Sequence, residues 1–207
     1  MTNIIENKTN SKFESFNLPP LVLASASPRR AEILRSVGWE FEKITSDVDE
    51  TLLETETPES YVERLARTKA KAVAAKVKTG LVLGADTTVV VDGEIIGKPV
   101  DLNDARQMLK KLAGKWHEVL TGVALFNKTS EGLTYRDGHE RTRVKFAQLS
   151  ENEIEYLVMY GAPLDKAGAF AVQAQAALFI ERIEGDYWNV VGLPVQLVYR
   201  MFTENFR

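Results

Sequence analysis

The chain has 207 residues, enough for one sizeable α/β domain or two small lobes around a cleft. A net charge of −3, with 44% hydrophobic and 27% charged residues, describes an ordinary folded chain without the basic field that nucleic acid requires. Zero cysteines exclude disulfides, thiolate catalysis and cysteine-based zinc sites, and two histidines, His117 and His139, argue against a His-based metal site or triad.

Residues 1–19 are expected to form a mobile tail, ahead of a single domain over 20–207. Met1–Asn17 is rich in Asn, Lys, Thr and Glu and lacks both the apolar core of a signal peptide and the arginines of a presequence. No apolar run reaches about 18 residues, so no membrane span is expected and the chain reads as cytoplasmic. Leu21–Ala24 reads as a buried strand. Ser27 and Pro28 suit the cap and first residue of a helix that ends at Gly38. Phe41–Ile44 is a second short strand, followed by the acidic loop Asp47–Thr51. A long helix starts at Thr57-Pro58, with the stripe Val62, Leu65, Ala66, Lys69, Ala70, Val73 and Val77. Leu81–Val91 is a strand, Asp92-Gly93 a hairpin turn and Glu94–Ile96 the return. A helix over Leu102–Leu112 stops at Gly114, and Trp116–Phe126 is the next strand. Asn127–Gly138 is polar and turn-rich, and Arg141–Leu149 alternates like a strand. Ser150-x-x-Glu153 is a capping box. Gly161–Gln173 is irregular, Ala176–Ile183 a strand, Gly185–Asn189 a loop, and Pro194 opens the last helix. The order predicts an α/β fold with a mixed twisted sheet and helices in two lobes around a central cleft.

Arg29 and Arg30 fall in the first turn of the first helix, where the macrodipole is already positive. Either an anion is expected there, held by free backbone N–H groups and two guanidinium forks, or two solvated arginines stand on an exposed turn. Asp86 lies in an apolar strand. An ionised carboxylate there must be paired or bind metal, which suits a general base or a metal ligand; the alternative is a structural Asp satisfied by Thr87, Thr88 or backbone amides. Asp47, Asp49 and Glu50 could serve magnesium, although their spacing alone favours a solvated loop. Lys69 either reaches into the cleft or snorkels to water. Lys98 is held between Gly97 and Pro99, and Lys166 follows Asp165 at the head of a small-residue loop. Gln173 could read a base edge. Trp116, Tyr187 and Trp188 could stack on a base, but core packing is the better reading. These parts suit a polyphosphate, a divalent metal and an activated water. The chain has no Gly-x-x-x-x-Gly-Lys-Ser/Thr loop and is not a P-loop NTPase.

Taken in order, Ser25-Ala-Ser-Pro-Arg-Arg30, Asp47-Val-Asp-Glu-Thr51, Arg64-Leu-Ala-Arg-Thr-Lys-Ala70, Gly84-Ala-Asp-Thr87, Gly97-Lys-Pro99, Asp165-Lys-Ala-Gly168 and Gly185-Asp-Tyr-Trp-Asn-Val-Val-Gly-Leu-Pro194 resemble the Maf family of nucleoside triphosphate pyrophosphatases. Gly-Ala-Asp-Thr at 84–87 and Gln173 resemble its dTTP/UTP branch. The resemblance implies an ITPase-like fold, commonly dimeric, that cleaves a nucleoside triphosphate to monophosphate and pyrophosphate with Mg²⁺ or Mn²⁺. It implies Asp86 as proton acceptor, and Glu50 as an acidic residue needed for activity through metal, which Asp86 could share. Arg30, Lys69, Lys98 and Lys166 match basic residues of the phosphate pocket, with Lys98 assigned to catalysis and Ser25 to substrate binding. Arg29, Thr87 and Gln173 match positions associated with substrate choice. The rival readings are a 7-methyl-GTP or other NTP pyrophosphatase and a non-enzymatic regulator of septum formation. The expected partner is a nucleoside triphosphate, with no nucleic acid or membrane, in a homodimer.

Overall fold

The computed structural model describes residues 19–206. The expected tail therefore lies outside the described residues except for Pro19, whose carbonyl accepts a 2.8 Å bond from the Trp39 indole. The chain runs β1 (Leu21–Ala24), α1 (Pro28–Ser36), β2 (Phe41–Lys43), α2 (Pro58–Ala74), β3 (Gly80–Val91), β4 (Glu94–Ile96), α3 (Leu102–Leu112), β5 (Trp116–Lys128), β6 (Leu133–Phe146), α4 (Glu151–Tyr160), β7 (Ile180–Glu184), α5 (Tyr187–Val191) and α6 (Val195–Asn205).

The seven strands form one mixed sheet in the order β2-β1-β3-β5-β6-β7, with β4 paired to β3. β1 is parallel to β2 and β3, and the remaining pairs are antiparallel. β3 is the axis of the fold. One edge pairs with β5 from Gly80 to Val90. The other pairs with β1 at Leu81–Gly84 and with β4 at Val89–Val91. Between those partners residues 85–88 have no strand beside them, and this gap is the floor of a cleft. A core of α1, β1, the first half of β3 and α6 packs on one side, with Leu23, Leu34 and Leu193 fully buried. A second core, of α3, α4 and the second half of β3, packs on the other around Leu109, Leu112 and Phe146. The two lobes share one sheet.

Local chemistry explains most boundaries. Asp101 and Ser150 cap α3 and α4 through their side chains, and Ser150 forms the reciprocal capping box with Glu153. Asp92 and Gly93 take φ of 52° and 79°, the hairpin geometry that Asp-Gly favours. Four expectations need correction. Ser27 precedes α1 without a side-chain cap; its N–H donates instead to Ser25 Oγ at 3.2 Å. β6 begins at Leu133, eight residues before the expected strand. Paired with β5, β6 exposes most of its early residues, so polar composition there marks a solvated strand rather than a loop. The expected strand at Ala176 starts only at Ile180, because Gln175–Leu178 winds into a 3₁₀ turn. The expected loop Gly185–Asn189 gives way to α5 from Tyr187, as Asp186 Oδ1 accepts from the N–H groups of Trp188 and Asn189 at 2.7 and 3.3 Å.

Candidate active site

A cleft of about 400 Å³ opens over the gap in β3, and Ser25, Arg29, Arg30, Glu50, Lys69, Asp86, Thr87, Lys98, Lys166 and Gln173 all line it. These ten come from the β1–α1 turn, α1, the acidic loop, α2, β3, the β4–α3 loop and the loop after α4, and Val119 of β5 and the end of α5 with Gly192 line the cleft beside them.

Asp86 is the deepest carboxylate, only 7% exposed. Lys69 projects from the buried face of α2, and its Nζ lies 2.5 Å from Asp86 Oδ1 and 2.6 Å from Glu50 Oε1. The lysine therefore reaches inward rather than snorkelling. Burial raises the Asp86 pKa, against the pull of Lys69 and Arg30. For Glu50, burial works in the same direction but is outweighed by the Lys69 hydrogen bond and the charges of Lys69, Lys98 and Arg30, so its pKa falls. The cleft thus holds two carboxylates of different proton affinity around one ammonium. Two residues of α2 that carry no local signal for it hold the acidic loop in place. Tyr61 Oη donates to the Glu50 carbonyl at 3.0 Å, and Arg64 donates to the Thr51 carbonyl at 3.0 Å while forking onto Glu56. Burial and the nearby Asp86 and Glu50 push the Tyr61 pKa up to about 12, so it remains a donor. Asp49 turns back onto Thr51, and no group of three His, Cys, Asp or Glu residues assembles among those described. The loop contributes one carboxylate to the cleft rather than three.

Arg30 is buried at 8% exposure. Its Nε donates to the Gly192 carbonyl at 2.8 Å, Nη1 to Ser25 Oγ at 2.9 Å and Nη2 to Thr87 Oγ1 at 3.0 Å. Every acceptor is neutral, and burial lowers the guanidinium pKa. Behind it Thr87 Oγ1 lies 2.9 Å from Thr121 Oγ1, which donates to the Asn189 carbonyl at 3.2 Å. Asn189 Nδ2 in turn bonds Val119 O and Thr142 Oγ1 at 2.9 and 3.0 Å. A strand threonine such as Thr121 carries no distinctive signal, and Asn189 lies inside the Gly185–Pro194 motif without its spacing revealing this bond network. Lys98 has no hydrogen-bond or ion-pair partner among the described residues and faces the cleft. Gln173 sits exposed in a turn on the rim. The aromatic candidates stay outside: Trp116 packs under the Arg143 guanidinium at 4.4 Å, and Tyr187 and Trp188 pack edge to face on the surface.

Residues 20–205 match the family profile described as Maf-like protein. The chain belongs to the Maf family. A relative from Geotalea uraniireducens is 53% identical over 175 residues, covering 84% of this chain and 89% of its own length, and is named dTTP/UTP pyrophosphatase. A relative from Symbiobacterium thermophilum with the same name is 49% identical, covering 89% and 93% of the two chains. The Maf fold extends to more distant structures. A HAM1 protein from Coxiella burnetii superposes with a TM-score of 0.51 at 15% identity, over 90% of this chain and 100% of that one. The Ham1 protein of Staphylococcus aureus superposes at 0.50 and 18% identity, over 91% and 100%. These two establish a likeness of fold alone.

Proposed function

We propose that the chain hydrolyses dTTP and UTP to the nucleoside monophosphate and pyrophosphate, cleansing nucleotide pools, and that residues 20–207 form the catalytic unit. The observation that carries this reading is the buried Arg30 guanidinium, bonded only to neutral acceptors, in the same cleft as a buried aspartate with raised pKa. A desolvated guanidinium whose direct hydrogen-bond acceptors are all neutral, with Asp86 and Glu50 acting on it only through space, is suited to take a bound anion. The names of the relatives at about half identity support the same substrate.

Asp86 accepts a proton from water as the oxygen attacks the α-phosphorus. The bond from that phosphorus to the α–β bridging oxygen breaks, and pyrophosphate leaves with its charge against Arg30, Lys98 and Lys166. Ser25 and Arg29 bind at the same phosphate end, and Thr87 and Gln173 bear on base choice. The carboxylates fit a hard divalent cation: Lys69 already engages Glu50 Oε1 and Asp86 Oδ1, so both side chains reach a common cation, and each keeps a second oxygen. Glu50 and Asp86 would hold Mg²⁺ or Mn²⁺, which would neutralise phosphate charge when bound. Maf pyrophosphatases are generally metal-dependent. The protein acts in the cytoplasm as a homodimer, without nucleic acid or membrane; no helix among the described residues is long and apolar enough to cross a bilayer.

The test is a panel of nucleoside triphosphates with magnesium, with and without chelator, and the products identified. Pyrophosphate and dTMP or UMP as first products, lost in chelator, are expected. Orthophosphate and a diphosphate, or a clear preference for 7-methyl-GTP, would reject the assignment.

A further inference from the structure

Asp165 puts a negative charge among the cations of the cleft, where a phosphate must also sit. Its contacts explain why. Oδ2 accepts from Arg29 Nη1 at 2.7 Å, and the Asp165 backbone carbonyl accepts from Arg29 Nη2 at 3.0 Å. The other carboxylate oxygen accepts from Lys166 Nζ at 2.6 Å. Arg29 comes from α1 in one lobe, and Lys166 from the loop after α4 in the other.

We propose that Asp165 is a positioning residue that spans the cleft and fixes the separation and orientation of Arg29 and Lys166 for the substrate phosphates; this rests on reading the cleft as a polyphosphate site. Two bonds from one residue hold the guanidinium plane, which otherwise rotates freely on a long side chain. The ordering cost is then met before phosphate arrives. Lys166 Nζ is held from a second side by the Ala162 carbonyl. The loop itself is stiff. Ala162 and Ala169 take φ of 45° and 65°, a left-handed region that non-glycine residues occupy at a cost, and the Gly168 N–H donates to the Gly97 carbonyl at 3.0 Å, tying this loop to the one that carries Lys98. The Asp165 side chain is 55% exposed, against 20% for Arg29 and 11% for Lys166. Water screens the carboxylate on its outer side, while the cations meet the cleft from more buried positions. Partial burial would raise the Asp165 pKa, but the bonds from Lys166 and Arg29 outweigh it and hold the group ionised.

Calorimetric titration with inorganic pyrophosphate tests this without requiring turnover. Asp165→Ala is expected to weaken pyrophosphate binding about tenfold, and Asp165→Asn, which keeps an acceptor for Arg29 but loses the one for Lys166, to fall between Asp165→Ala and the wild type. The loss should shrink when Arg29→Ala is already present, since the two act together. Tighter binding in both Asp165 variants would mean that the carboxylate only competes with phosphate. An undiminished loss in the Arg29→Ala background, or a wild-type chain that binds no pyrophosphate, would equally overturn the proposal. If Asp165→Ala loses its circular dichroism signature, Asp165→Ser carries the comparison. dTTP hydrolysis by the same preparations separates the two ideas: a wild type that binds pyrophosphate but cleaves nothing rejects the activity and leaves the positioning role standing. A Asp165→Ala variant with lowered kcat at unchanged KM would place Asp165 at the reacting atoms and reject the positioning role.

Discussion

Gly122 of β5 lies directly opposite Asp86 of β3, and a Cβ added to Gly122 would stand 2.2 Å from the Val62 carbonyl of α2. Gly84, two residues before Asp86 and on the same face of β3, meets the Ala66 carbonyl at the same distance. Two glycines therefore let α2 press onto the sheet, and that approach brings Lys69 within 2.5 Å of Asp86. Gly122→Ala should push the helix outward, because the obstruction is backbone and cannot rotate away. We expect a loss of stability of about 1–3 kcal/mol by urea denaturation. Turnover should fall by more than about tenfold, a larger drop than the unfolded fraction explains.

Asp86→Asn keeps the shape of the side chain and removes its charge. Turnover should fall by roughly 10²–10⁴-fold, with thermal unfolding at or above the wild-type midpoint, since a buried carboxylate has been neutralised. Near-normal turnover would move the base elsewhere, with Glu50 the next candidate.

The Asp86 pKa is raised by burial and restrained by Lys69. The working form is the carboxylate, so kcat/KM should rise with pH through this group and fall in acid. In Lys69→Gln the restraint is gone, and the acid limb of the residual activity should move to higher pH. An acid limb that stays in place would show that Asp86 does not set it.

His117 stacks on Phe146 at 5.4 Å and meets Phe170 edge-on at 5.3 Å, with no hydrogen-bond partner for either ring nitrogen among the described residues. Burial pulls its pKa down from 6.5 to about 4. Above pH 6.5 the ring is neutral in both folded and unfolded chains. As pH falls towards 4 only the unfolded chain takes up the proton, so up to about 3 kcal/mol of stability is lost across that window. His117→Leu should flatten the stability profile between those values, as read by urea midpoints at each pH.

Thymine and uracil present an N3–H donor between two carbonyls, and an amide can meet one donor and one acceptor of that edge. Cytosine presents an acceptor at N3 and an amino group at position 4. Gln173 stands exposed on the rim, where such a bond is worth about 0.5–1.5 kcal/mol, so dTTP and UTP should exceed CTP in kcat/KM by about two- to tenfold. Gln173→Ala should narrow that gap. An unchanged ratio would remove Gln173 from base choice.

Sequence alone determined the elements whose signals are local. Caps at Asp101 and Ser150, the Asp92-Gly93 turn and the apolar stripe of α2 each follow from a few neighbouring residues, and the ordered motifs contain nine of the ten expected residues that line the cleft, Gln173 standing outside them. It failed where the deciding forces are distant. β6 is polar because its early residues face water, and composition cannot tell such a ribbon from a loop. No spacing shows that Gly122 faces Asp86, that the N-terminal lobe's Arg29 is seized by Asp165, or that Lys69 turns inward rather than out. Those pairings exist only once strand register and the packing of α2 are fixed. They depend on long-range contacts that close the chain on itself, and these set the charge balance of the cleft.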